Sequence, residues 1–158
     1  MKNAIVVATV VLLAAALTAV YWFFLRPGPS DRDQILAMIA DAEQGINQHV
    51  FSRALRYVAD DYHDSEGNTK ATLKRLALQA ARSAEKYKVV TAVKGLVISG
   101  DRSRATVVLD ATVHFLSSGE AKTYNVTLKL EKRGRRWLVV SADGWQQAVD
   151  DAVGGEMQ

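Results

Sequence analysis

The alternation of apolar and polar positions splits this 158-residue chain into an unbroken apolar run, a helical stretch and a stretch of strands. From Ala4 to Leu25 there are 22 residues without a charge, and only Thr9 and Thr18 bring small hydroxyls into the run. As a helix it would be about 33 Å long, enough for a hydrocarbon core of about 30 Å. Lys2 and Arg26 border it, Tyr21 and Trp22 sit near its second end, and Pro27 and Pro29 stop it. Beyond it, Ile35, Met38, Ile39, Ala42, Ile46 and Val50 recur at helical steps and predict a helix over about 32–48. A shorter one is expected over 51–59, with Phe51, Leu55 and Val58 as its buried side. A third begins after Asn68 or Thr69, either of which can cap it, and carries Leu73, Leu76, Ala77, Ala80, Ala84 and Tyr87 on one side.

From Tyr87 the period changes to two. Strands are expected over 89–99 (kinked at Gly95), 104–116, 121–132 and 136–142, joined by short turns rich in Gly, Ser and Asp. In the second strand Ala105, Val107, Leu109, Ala111, Val113 and Phe115 share a face, with Thr106, Asp110, Thr112 and His114 opposite. In the third, Tyr124, Val126, Leu128 and Leu130 share a face. Three helices followed by an antiparallel meander of four strands give an α+β domain with the helices covering one face of a curved sheet.

The expected organisation is therefore a flank at 1–3, a transmembrane helix at 4–25, a linker at 26–30, a domain at 31–147 and an acidic, flexible tail at 148–158. A cleaved signal peptide would suit the small residues at Ala14–Ala16 or Ala19. Its apolar region would, however, be about 7–15 residues, and this run continues to Leu25. An uncleaved single-pass anchor is the expectation, with the lipid bilayer as a partner through Ala4–Leu25. Charges flanking the run nearly tie, but a short N-terminal segment before a first anchor usually stays inside. The domain is accordingly expected outside the cytoplasm. With no cysteine, disulfide frameworks, thiol nucleophiles, thiolate metal sites and lipoprotein anchoring are excluded.

Net charge is +3, but it is unevenly placed. Residues 31–87 hold 8 Lys+Arg against 9 Asp+Glu, residues 88–136 hold 10 against 4, and residues 137–158 hold 0 against 4. Much of the excess is the cluster Lys129, Lys132, Arg133, Arg135 and Arg136 near a hairpin end, a candidate patch for an anionic partner. The competing reading is a solvated turn that keeps sheet edges from mispairing. Nucleic acid is not expected, since no row of aromatic residues accompanies the charges.

The helix pair ends in Tyr57-Val58-Ala59-Asp60-Asp61-Tyr62-His63-Asp64, and Glu66-Gly67-Asn68 leads into the third helix. The chain closes with Trp137-Leu138-Val139-Val140-Ser141-Ala142 and Gly144-Trp145. In these features, over about residues 33–147, it resembles the nuclear transport factor 2-like superfamily, the SnoaL-like or cystatin-like α+β cones. That resemblance implies a cone-shaped cavity, and a range of roles from dehydratases, isomerases and cyclases to binding and scaffold domains. Similar tethered domains also serve as assembly components of bacterial type IV secretion machines. Enzymes of the superfamily place an acid or base inside the cone.

Tyr62, His63 and Asp64 are the candidates for that role here, against the reading that Asp64 holds a turn and His63 lies in water. His114 shares a face with Asp110 and is expected to be exposed; His49 ends the first helix. The three histidines are too scattered for a metal site, and no cofactor is expected. The residues expected to line the cone, Val107, Leu109, Val113, Tyr124, Val126 and Leu128 among them, include no carboxylate. The preferred reading is thus a non-catalytic scaffold or binder of an apolar ligand or a membrane-complex protein. The alternative is a small isomerase- or dehydratase-type enzyme acting on an apolar substrate. A homodimer is expected through the outward sheet face, which offers Val90, Val108, Thr112 and Val140.

Overall fold

The computed structural model describes residues 28–82 and 86–148, together with Thr18. The chain divides into two units, 1–30 and 31–158, and all the elements named below lie in the second. The expected membrane span at 4–25 lies, Thr18 apart, outside the described residues. Among the described residues no helix is long and apolar enough to cross a membrane.

Three helices, α1 (Asp31–Asn47), α2 (Phe51–Leu55) and α3 (Lys70–Arg82), precede β1 (Tyr87–Ile98), β2 (Arg104–Phe115), β3 (Ala121–Arg133) and β4 (Arg136–Asp143). The strands form one antiparallel sheet in the order β1-β2-β3-β4, with Leu109 facing Val93 on one side and Val126 on the other. The inward face set by alternation in β2 and β3 is the face that packs on α1. Ile35, Val107 and Leu130 are its most deeply buried side chains. A bulge in β1 between Val93 and Gly95 supplies the kink expected at Gly95. A second irregularity sits where Lys129 pairs Ser141 but Leu130 pairs Val139. It shifts the parity of β4, so that Trp137 and Ala142, five residues apart, are both buried.

Two of the expected helices end early. α2 stops at Leu55 because the chain after it is drawn to the sheet: the Val139 amide donates to Tyr57 O (2.8 Å) and the Ala59 amide to Val139 O (2.9 Å). Tyr87 leaves the α3 stripe because it pairs with Phe115 and opens β1. Ala84, on the same expected stripe, lies outside the described residues.

Both sheet edges are partly covered, a defence against edge-to-edge pairing. Segment 57–63 runs along β4. On β1 the cover comes from side chains one helical turn apart on α1. Asn47 receives the Val89 amide (2.7 Å) and donates to Val89 O (2.8 Å), while Glu43 Oε2 receives the Thr91 amide (2.7 Å).

At the start of α1, Asp31 is buried among cations from two hairpin ends. Lys132 Nζ (2.5 Å), Arg102 Nε (2.6 Å) and Trp137 Nε1 (3.2 Å) all donate to its carboxylate. These bonds, that from Lys132 first, outweigh burial and hold the Asp31 pKa down to about 2. This cluster seals the core where α1 begins.

Candidate functional site

Beyond this cluster the helices do not fill the space above the sheet. Two adjoining lobes of about 280 Å³ each remain, and Ile46, Ala54, Leu73, Val126 and Trp145 line both. One lies under α3, between Leu76, Ala77 and Ala80 and the sheet residues Val89, Ala111 and Val113. The other lies against α1, between Met38, Ile39 and Ala42 and the sheet residues Leu109, Leu128 and Val139. The short side chains at Ala42, Ala54, Ala77, Ala80 and Ala111 leave this volume: an alanine continues a helical or strand pattern without reaching across the gap.

The wall behind the lobes depends on a turn. After β4 the chain reverses at Gly144 (φ +86°), where a Cβ would stand 2.2 Å from Asn125 O. Only glycine fits there. The reversal brings Trp145 back over the cavity, its indole N–H donating to Ala142 O at 3.0 Å. Ala148, expected in the tail, lines the lobe under α3 as well.

Of the ligand-binding residues read from alternation, Val113 and Val126 line the lobe under α3, and Leu109, Val126 and Leu128 the lobe against α1. Val107 and Tyr124 are buried in the hydrophobic core and lie on neither wall. Of the acid–base candidates, only Tyr62 borders the cavity. Its hydroxyl donates to Asp64 Oδ2 (3.2 Å), and burial together with the Asp64 charge pushes the phenol well above its ordinary range. Asp64 is 3% exposed and fully engaged in its turn. It accepts the Glu66 amide (3.1 Å), the Asn68 amide (2.8 Å) and Asn68 Nδ2 (3.1 Å). Burial works to raise its pKa, but these hydrogen bonds prevail and leave it below the usual carboxylate value. His63 is exposed, joined to Val140 O through its backbone amide. His114 is exposed on the outer face of the sheet.

One expectation about the cone is corrected. Its wall does carry a carboxylate, Glu43, which comes from α1 and not from the sheet. Glu43 Oε2 accepts both the amide (2.7 Å) and the hydroxyl (2.5 Å) of Thr91. The readable signal was Thr91, a polar residue at an inward position of β1 between Val89 and Val93.

The basic cluster is partly consumed within the fold. Lys132 is tied to Asp31, and Arg133 makes a two-pronged pair with Asp61 (2.7 and 2.8 Å) while also reaching Glu131 (3.1 Å). Arg136 donates to Arg56 O at 3.4 Å. Lys129 and Arg135 make no ion pair among the described residues, and both are exposed. No group of His, Cys, Asp or Glu suited to a metal ion occurs among the described residues.

No family model and no curated protein matches the chain. Solved structures do. A domain with a cystatin-like fold from Nostoc punctiforme aligns at TM-score 0.62 and 13% identity, over 73% of this chain and 76% of that one. An NTF-2 like protein of unknown function from Shewanella oneidensis aligns at 0.55 and 15%, over 72% and 97%. A ketosteroid isomerase-like protein from Erwinia carotovora atroseptica aligns at 0.54 and 14%, over 69% and 90%. Identities this low establish the fold alone. The chain is built on the nuclear transport factor 2-like, cystatin-like α+β cone.

Proposed function

We propose that this protein is a membrane-tethered, non-catalytic module that holds an apolar ligand in its cone. The observation that carries the reading is the pair of adjoining lobes walled mainly by apolar side chains, Trp145 among them. The tether is residues 4–25, and the domain stands outside the cytoplasm. Support for a non-catalytic role comes from the candidates themselves. The Tyr62 hydroxyl is spent on Asp64 Oδ2, which also takes the Asn68 side chain, and Asp64 Oδ1 is committed to the Glu66 and Asn68 amides.

The test is native mass spectrometry of the full chain purified from its own membranes, beside an Ala54→Phe variant that fills space shared by both lobes. The wild type is expected to retain an apolar molecule and the variant to lose it. Absence of any retained molecule, together with no binding of added apolar probes, would overturn the reading. Recovery of the mature chain from a soluble fraction, starting beyond Ala16 or Ala19, would overturn the tether.

A second reading, an isomerase- or dehydratase-type enzyme, is favoured by one observation: Glu43 puts a carboxylate on the wall of the cavity. Turnover of an apolar carbonyl substrate that disappears in Glu43→Gln would establish it. The outer sheet face, where Val90 and Val97 are 42% and 70% exposed, is proposed as a homodimer surface. Sedimentation showing only monomer at micromolar concentration would remove that proposal.

A further inference from the structure

Glu43 is the one charged side chain bordering either lobe among the described residues, and no Lys or Arg shares those walls with it. Both its hydrogen bonds arrive at the same oxygen: the Thr91 amide and hydroxyl donate to Oε2, and Oε1 has no partner among the described residues. The carboxylate is thereby fixed in orientation by a strand, with one oxygen left to accept. A carboxylate on an apolar wall without a compensating cation favours a ligand that brings its own positive charge and N–H donor. It disfavours an anion of the same shape through like-charge repulsion.

We infer that the ligand of this cone is an amphiphile, an apolar body bearing a protonated amine, and that Glu43 reads the ammonium while Thr91 positions Glu43. This rests on the ligand-binding reading above and sharpens it to a substrate class. Glu43 also covers the β1 edge by accepting the Thr91 amide, so a test must separate that structural part from charge. Glu43→Gln does so, because the amide oxygen still accepts from Thr91 while the charge is gone.

The full chain is placed in nanodiscs of zwitterionic lipid, and empty discs are subtracted. Calorimetric titration then compares 1-adamantylmethylammonium, 1-adamantylmethanol and 1-adamantanecarboxylate. The ammonium is expected to bind about tenfold or more tightly than the alcohol, with the carboxylate weakest. In Glu43→Gln that ratio falls to about one, the alcohol still binds, and the unfolding temperature stays put. Equal binding of ammonium and alcohol in the wild type, or a preference that survives in Glu43→Gln, overturns the amine inference and leaves the apolar cone standing. Failure of all three probes to bind overturns the cone reading itself, and this inference with it.

Discussion

Where α1 begins, Ile35, Val107 and Leu130 are almost wholly removed from water, and Asp31 is held by Lys132, Arg102 and Trp137. In α3 no residue is buried, Leu78 is 60% exposed, and an open lobe lies beneath the helix. One sheet supplies the floor of both ends, so the contrast comes from what the helices bring to it. α1 brings large side chains and a pinned charge to one end, while α3 lays Leu73, Leu76, Ala77 and Ala80 over the other without burying any of them. Packing stabilises the first end. The second sacrifices packing, and an unfilled apolar volume is what a ligand can occupy.

The sharpest way to break that contrast is to truncate one large residue at each end. Leu130→Ala at the closed end is expected to cost about 3–4 kcal/mol, and Leu76→Ala over the lobe about 1 kcal/mol or less, by urea denaturation. Similar losses would mean that Leu76 over the lobe is packed as tightly as Leu130 beneath the start of α1. Gly144→Ala is next, at about 2 kcal/mol, because the new Cβ collides with Asn125 O at a positive φ. Trp145 fluorescence should shift with it, since the turn that returns the indole is displaced.

Acid sharpens the comparison from the side of the closed end. The Asp31 pKa is lowered to about 2 from 3.8, so its contribution to stability is complete above pH 3.8 and is lost as pH falls toward 2. Asp31→Asn should therefore reduce the proton uptake that accompanies unfolding in that window by up to about one proton. Asp41 and Asp101, also lowered to about 2, keep part of the acid sensitivity in the variant. An unchanged pH dependence of the urea midpoint would contradict this. The smallest effect belongs to Leu78→Ser, expected within about 0.5 kcal/mol because the side chain already lies largely in water.

The sequence alone determined the meander, its faces and the helical character of the first half. A period of two or of 3.6 is a local property, and burial of one face enforces it. The turn at Asp64 was readable for the same reason, since an aspartate ahead of Gly67 bonds amides that are its near neighbours in the chain. Tertiary structure decided what lies inside the cone. Periodicity says that Val107 and Val113 face inward alike. It does not say that one is fully covered at the closed end while the other borders a void, because that depends on the reach of side chains from distant elements. For the same reason no local pattern could reveal that Glu43, on the flank of its helix, would meet Thr91 48 residues later, or that Lys132 would be taken up by Asp31.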